Sequence, residues 1–547
     1  MNSPLQASNE SRSPKFQITS WEYWTLGHTT LIASAVIAAG FVLRVREACG
    51  TFLNPDEALH FFIANRASLD AVYQASLTQA HPPLFFFMLY GLRLFGNSEI
   101  LLRLPSIVAG TLFCWIFFKW LDDRLGQPAA LVGLIYAACL PTMISVTAEV
   151  RQYGLLLFFL MCGLWFLDRG LEKDSPRLML ISAISLWLAI LTHYSSVFFV
   201  AALSVYACLQ IWPKKVSRAA VLTWLAGQLV TFSLVVFFYV THLSKIKRTT
   251  MTQQALEIWL RRSYFHSGRD NPLTFLLART FSVFQYIVGQ LVVGDILTIV
   301  FVAGVVLLLR SKIQIHSSRQ LTLAVLLILP FLLNYGAGLL DLYPFGGTRH
   351  CVYLSIFAIT GIAIGTVLLT RQNLVRATTI TLLIVVSCFL FRTIHHPYIA
   401  RADQARSRMN EATAFVATQI PDNETILVDY ESGVELGHYL CNQQVVYSRL
   451  TPDSLVFNCG NHRIISTVPD LWAFTPQTFL TQWAYLVERG YLKPGEKVWV
   501  CQAGWMVSLD EDLGTHSPEF HDLKTLKFGN NIRFSPLTVG SEGLAQP

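Results

Sequence analysis

The sequence predicts an all-α polytopic membrane protein that carries a small soluble α/β domain at its C-terminal end. Three observations predict it. Of 547 residues, 53% are hydrophobic and 14% charged, where a soluble protein would carry roughly a quarter charged residues. The apolar residues gather into about eleven runs long enough to cross a bilayer. After Arg392 the composition turns polar and stays so.

The elements follow in order. Residues 1–22 form a polar tail with Arg12 and Lys15. The first run, 25–44, exceeds the ~18 residues needed to span, so it reads as a retained anchor and not a cleaved signal peptide. The loop 45–100 is far longer than a turn. Its apolar stretch 84–95 is too short to cross and suits helices lying in the interface. Further spans are expected at 101–119, 128–147, 152–168, 177–192, 195–212, 219–241, 281–309, 320–340, 351–370 and 376–392. The 281–309 run is long enough to be tilted or broken near Gly289 or Gly294. Residues 396–547 hold β-like runs at 425–429 and 497–501 and a helical stretch near 476–490, the pattern of a soluble α/β domain.

Basic residues assign the sides. Loops 119–124, 169–177, 214–218, 310–319 and 371–376 alternate along the chain and carry Lys or Arg, which marks the cytoplasmic face together with the N-terminal tail. An odd number of spans then puts the C-terminal domain outside, in a cell (plasma or inner) membrane protein. Loop 242–280 is basic on the opposite side, where long loops escape the rule. The net charge of +7 belongs to such loops and gives no nucleic-acid signal. Six of the ten cysteines, from Cys114 to Cys388, sit in or beside apolar runs as packing residues. A tail outside the cytosol leaves a Cys441–Cys459 disulfide open, which the sequence alone does not decide. Of two glycosylation sequons, at Asn9 and Asn423, the first falls on the cytoplasmic side.

Five polar clusters then fall on the outer face. They are Asp56-Glu57, His81-Pro82-Pro83, Glu149-Val150-Arg151-Gln152-Tyr153, His193-Tyr194 and Arg349-His350. Each has an ordinary reading. Asp56 and Glu57 suit a helix start after Asn-Pro. His81 suits a turn. Arg151 could snorkel or pair with Glu149, and His193-Tyr194 could anchor at the interface. Their convergence argues for a site. Carboxylates can take a proton from an acceptor, while arginines and histidines suit a phosphate. No Walker loop or dinucleotide fingerprint is present, and an outer-face site has poor access to nucleotide pools. A lipid-linked phosphate donor fits both facts.

These residues resemble the GT-C superfamily of polyprenyl-phosphate-dependent glycosyltransferases. The match is to the dolichyl-phosphate-mannose–protein mannosyltransferase-like family (glycosyltransferase family 39), with the bacterial aminoarabinose transferases as relatives. It rests on Asn54-Pro55-Asp56-Glu57, His81-Pro82-Pro83-Leu84, Leu102-Arg103-Leu104-Pro105-Ser106, Glu149-Val150-Arg151-Gln152-Tyr153, Thr192-His193-Tyr194 and Arg349, over residues 20–395. The extracytoplasmic domain at 396–547, read from composition and side assignment, lies outside it. The resemblance implies a GT-C transmembrane domain at 23–395. It also implies transfer of a sugar from a polyprenyl phosphate, with inversion, to a protein, lipid or polysaccharide acceptor. Asp56 matches the catalytic aspartate, and Glu57 would support it. His81, Glu149, Arg151, Tyr153, His193, Tyr194 and Arg349 are the candidates that bind donor phosphate and sugar. A divalent cation held by Asp56 with Glu149 or His193 stays open.

Two other readings stand beside this one. A multi-span transporter or flippase would place ionisable residues near the midplane and show internal repeats; these clusters lie at one face. An undecaprenyl-linked glycan ligase or polymerase would use oligosaccharide donors, and the mass of the product separates it from a monosaccharide transferase.

Overall fold

A computed structural model of the chain describes residues 27–212, 216–246, 260–310, 320–391, 405–441, 448–516, 520, 523–541 and 544–546. The tail 1–22 with Asn9, Arg12 and Lys15, the basic residues Lys214, Lys215, Lys247 and Arg248, loop 311–319 and the 395/396 boundary lie outside the described residues.

Among the described residues the apolar runs are helical. In chain order the helices are α1 Thr29–Gly50, α2 Pro55–Ala64, α3 Leu69–Ser76, α4 Leu84–Leu92, α5 Glu99–Leu125, α6 Gln127–Cys139, α7 Pro141–Val146, α8 Tyr153–Glu172, α9 Pro176–Thr192, α10 Ser196–Ile211, α11 Arg218–Thr241, α12 Pro272–Val288, α13 Leu291–Arg310, α14 Gln320–Leu339, α15 Ser355–Leu369 and α16 Leu374–Leu390. Among the described residues, seven are long and apolar enough to cross a membrane, α15 counted with the 3-10 turn Arg349–Leu354 before it and α11 with the turn after it. Other apolar helices are shorter, including α6, α9, α10, α12 and α16. The outward face of α11 is apolar, with Leu229 and Phe232 both 67% exposed. Water would penalise such faces and lipid does not.

Two runs differ in detail from the expectation. The 281–309 run is two helices. It breaks at Gly289, whose φ of 78° caps α12 in the left-handed region that glycine adopts without steric cost. The 128–147 run is also two helices, because Pro141 opens a fresh helix at its first position. The carbonyls of Ala137 and Ala138 freed at that break accept hydrogen bonds from Arg44 at 3.2 and 3.0 Å. Arg44 is fully buried and also donates to Thr147 Oγ1 at 2.8 Å, so α1 is stapled to the α6–α7 break. Elsewhere small residues set the packing. A Cβ on Gly304 of α13 would lie 2.5 Å from the Gly361 carbonyl and 2.8 Å from Gly365 N on α15, the close approach that small residues four apart permit.

The loop before α5 forms α2, α3 and α4. Leu94 and Phe95, just beyond α4, are 77% and 82% exposed, as an interfacial segment requires.

The C-terminal region comprises α17 Arg406–Gln419, α18 Tyr430–Leu440, α19 Pro476–Glu488 and α20 Leu509–His516 around β1 Thr425–Val428, β2 Ser448–Thr451, β3 Ser454–Cys459, β4 His462–Thr467, β5 Lys497–Ala503, β6 Leu526–Lys527, β7 Ile532–Val539 and β8 Ala545–Gln546. The strands form one sheet in the order β2-β3-β4-β1-β5-β7-β6, with β8 on β7. The central strand β1 runs parallel to β4 and β5. All four of its residues are buried, as expected of a strand covered on both faces. Ile426 and Val428 pack with Met409 and Val416 of α17, and Leu427 packs with Phe479 and Trp483 of α19. Cys441 and Cys459 form a disulfide. Helix α18 lies against α2, with Phe61 and His438 edge to face at 5.0 Å between ring centroids. The C-terminal region therefore touches the helix that carries Asp56.

Candidate active site

The site starts from a helix cap. Asn54 Oδ1 accepts from Glu57 N at 3.1 Å, and Glu57 Oε2 accepts from Asn54 N at 3.0 Å, a reciprocal capping box with Pro55 at the first turn. The box fixes where α2 begins, and so where Asp56 stands. Glu57 is 1% exposed and takes three further bonds: from Arg103 Nε at 2.8 Å, Arg103 Nη2 at 2.7 Å and Val150 N at 2.7 Å. Arg103 also donates to the carbonyls of Ala48, Thr51 and Phe52 at 2.5, 2.9 and 3.0 Å. One buried ion pair thus ties α2, α5, the end of α1 and the 147–152 turn together.

That turn delivers Arg151. Ser106 Oγ donates to the Arg151 carbonyl at 2.5 Å. Gly154 lies so close that a Cβ there would sit 2.5 Å from the Ser106 carbonyl. Arg151 reaches Asp56 Oδ2 at 3.2 Å and approaches His60 Nδ1 at 3.3 Å and His81 Nε2 at 3.5 Å. Arg349 comes from the far end of the fold and pairs with the same Asp56 oxygen. The preceding Gly347 is held by its N–H donating to Ser282 Oγ at 2.9 Å. Two guanidiniums from distant segments therefore converge on one buried carboxylate.

Imidazoles surround this centre. His60 and His81 ring centroids are 5.8 Å apart, His81 and His193 5.1 Å, and His193 and His350 6.3 Å. Tyr153 lies 5.5 Å from His193. Tautomers follow from the partners, since one ring nitrogen of a neutral imidazole donates and the other accepts. His60 Nδ1 donates to the Asp56 carbonyl at 2.8 Å, leaving Nε2 as an acceptor. His193 Nδ1 accepts from Ser195 N at 3.1 Å, leaving Nε2 as a donor. Both Nε2 atoms are buried with no partner among the described residues.

Charge and burial set the protonation states. Burial alone would raise the Asp56 carboxyl, but Arg151 and Arg349 hold it below its ordinary value. Glu149 moves the other way. Burial raises it most and the Glu57 charge adds to that, with a smaller push from Asp56; Arg349 and Arg151 oppose them, and the carboxyl is left pushed up to about 8. Burial lowers His60, His81 and His193 well below ordinary imidazole, and the adjacent Arg151 charge pushes each the same way. The resting pocket thus holds an ionised Asp56, a proton-retaining Glu149 and neutral imidazoles.

The structure brings together Asp56, His81, Glu149, Arg151, Tyr153, His193 and Arg349, and sets Glu57 behind them. Tyr194 lies apart, its hydroxyl bonded to His242 Nδ1 at 2.9 Å. Sequence reasoning missed His60 and the contribution of Arg103, and it named His350 in the Arg349-His350 cluster without giving it a role. His60 is four residues after Asp56, one turn along the same helix, a spacing that could have exposed it. Among the described residues no group of three His, Cys, Asp or Glu side chains could hold a metal ion. The groups paired with Asp56 are guanidiniums, so the residues present do not fit a cation held by Asp56 with Glu149 or His193.

Residues 80–239 match the dolichyl-phosphate-mannose-protein mannosyltransferase family. No curated protein matches the chain. Among solved structures, it is similar to ArnT from Cupriavidus metallidurans bound to undecaprenyl phosphate, at 12% identity over 94% of this chain and 98% of that one, with a TM-score of 0.50. The apo state of the same protein gives 13% identity over 93% and 98%, with a TM-score of 0.51. The Archaeoglobus fulgidus oligosaccharyltransferase complex with Zn and sulfate gives 10% identity over 87% of this chain and 68% of that one, with a TM-score of 0.47.

Proposed function

We propose that this chain, a membrane glycosyltransferase of the GT-C superfamily, moves a sugar from a polyprenyl-phosphate donor to an acceptor hydroxyl or amide, with inversion and with Asp56 as the general base. The acceptor is a protein, a lipid or a surface glycan. The reaction takes place on the extracytoplasmic face of the cell membrane, with the N-terminus in the cytoplasm and the 396–547 domain outside. The observation that carries the reading is the convergence of Arg151 and Arg349 on buried Asp56.

In the resting pocket Asp56 is a weak base, because two cations stabilise its charge. A donor phosphate offers those guanidiniums a better, bidentate partner. As they turn to it, Asp56 keeps the burial that raises its affinity for a proton and loses the charges that lower it. Donor binding would thus prepare the base. The acceptor proton passes to Asp56, the acceptor atom bonds to the anomeric carbon, and the bond from that carbon to the phosphate oxygen breaks. The polyprenyl phosphate leaves with that electron pair, its charge held by Arg151 and Arg349 with His193 Nε2–H as a further donor. Glu57 is a positioning residue in this scheme, since Arg103, Val150 and Asn54 engage both its oxygens. Tyr153 lines the site beside His193 and Arg151.

The test is transfer from polyprenyl-phosphate monosaccharides by purified protein. The Asp56→Asn variant keeps the shape of the side chain and cannot take the proton. Its rate should fall roughly 10²–10⁴-fold while the protein still inserts and melts as before. Full activity in that variant rejects the assignment.

A further inference from the structure

A second cationic centre is linked to the first through the turn that leads to Arg349 and takes no part in the transfer scheme. A cavity of about 550 Å³ opens at the start of α12, with Arg261, Arg262, Arg269 and Arg279 in its wall alongside Asp270 and Phe275. Its volume is within the roughly 300–1,000 Å³ of small-molecule sites. Among the described residues Asp270 is the one carboxylate on that wall, and it is already engaged: it accepts from His266 N at 2.9 Å and lies 3.4 Å from His266 Nδ1. Four guanidiniums thus share a cavity with one acid among the described lining residues, itself already paired, an arrangement that favours an incoming anion.

The surroundings say what kind of anion. Arginines match phosphate bidentately. Phe275 gives the wall an apolar side. On the same helix Leu273 and Leu277 are 64% and 52% exposed, so the mouth borders a surface made for acyl chains. The cavity wall is also tied to the turn that leads to Arg349. Phe345 N donates to the Ser263 carbonyl at 2.8 Å, and a Cβ on Gly346 would lie 3.2 Å from Arg279 Cδ. Those contacts belong to the turn that ends at Arg349. They put this basic segment on the face that holds Asp56, against the usual placing of basic loops.

We propose that this cavity binds the phosphate-bearing headgroup of a membrane lipid beside the turn that carries Arg349. The inference goes beyond the transfer reaction and does not depend on it.

The test reads binding, so an error in the role of Asp56 would leave it untouched. The purified full-length protein in neutral detergent is titrated with short-chain phosphatidylglycerol, short-chain phosphatidylcholine and inorganic phosphate. Phosphatidylglycerol should bind saturably and about tenfold tighter than phosphatidylcholine, and about tenfold weaker in the Arg262→Gln/Arg269→Gln double variant. Both residues are exposed, so the melting temperature should not move; Arg262→Glu serves as a second variant if it does. Equal binding of the two lipids, or unchanged binding in the variants, overturns the proposal. Inorganic phosphate bound as tightly as phosphatidylglycerol overturns the lipid assignment in favour of a free anion.

Discussion

Tyr439 donates a 2.5 Å hydrogen bond to Glu99 Oε1 across 340 residues of sequence. Its phenol oxygen also accepts from Leu53 N at 2.7 Å, one residue before the Asn54 cap. The C-terminal region thus holds the entry to the helix that carries Asp56, and α18 packs along that helix. Tyr439→Phe keeps the ring and removes both bonds, leaving a buried carboxylate and a backbone N–H short of a partner. The expected loss is about 1–3 kcal/mol, read as a lower midpoint in thermal unfolding. Transfer should fall with it, through a lower kcat at nearly unchanged donor KM. A variant that melts as the parent does and turns over at full rate would show the two regions to be independent.

Arg349 offers a sharper test of the donor scheme. Arg349→Gln removes a charge from Asp56 and a fork from the donor phosphate. The loss of a hydrogen bond to a charged group is worth about 1.5–3 kcal/mol, or roughly 10–150-fold in kcat/KM. Arg349→Lys restores charge without the fork and should recover part of that. The sign of the pH effect is fixed. Arg349 lowers the Asp56 carboxyl, so its removal raises that group, and the acidic limb of the kcat/KM profile moves to higher pH. A limb that stays in place would mean that Asp56 is not the group titrating.

Much of this was legible in the sequence, and the limits have physical causes. Apolar runs show the helices because lipid leaves little choice for a spanning segment. Local chemistry shows Asn54-Pro55-Asp56-Glu57 as a helix start, and the structure adds that Glu57 turns inward to the cap while Asp56 stays on the pocket side. What the sequence hides is long-range pairing. Nothing near Arg103 says that it meets Glu57 from 46 residues away, and nothing near Tyr439 says that it reaches Leu53. Tyr194 shows the opposite error, since its neighbour His193 enters the cluster while its own hydroxyl turns to His242.

The Glu57–Arg103 pair separates architecture from chemistry. Both partners are buried, at 1% and 2% exposure. Removing one charge from such a pair leaves the other stranded and costs about 3–5 kcal/mol. Glu57→Gln keeps one acceptor for Val150 N but turns an amide towards a guanidinium. The expected result is a large fall in thermal stability, with any surviving activity keeping the pH profile of the parent. A stable variant with a displaced pH profile would instead make Glu57 a participant in proton transfer.

The final prediction concerns Glu435, on the α18 face that meets the Asp56 helix. It is fully buried, and neither carboxylate oxygen has a hydrogen-bond partner among the described residues. Burial, with Glu431, Asp429 and Glu57 nearby, pushes its carboxyl well above the ordinary range. The folded protein therefore keeps a proton that the unfolded chain releases. Between the ordinary carboxylate pKa and the raised one, the unfolded state binds fewer protons, so stability falls as pH rises. One such group costs up to about 1.4 kcal/mol per pH unit across that window. Glu435→Gln carries no titrating proton and escapes the cost. Its melting temperature should match the parent near pH 4 and exceed it by a margin that widens towards pH 8. A constant difference across that range would mean that Glu435 is ionised in the fold and finds compensation that the static geometry does not contain.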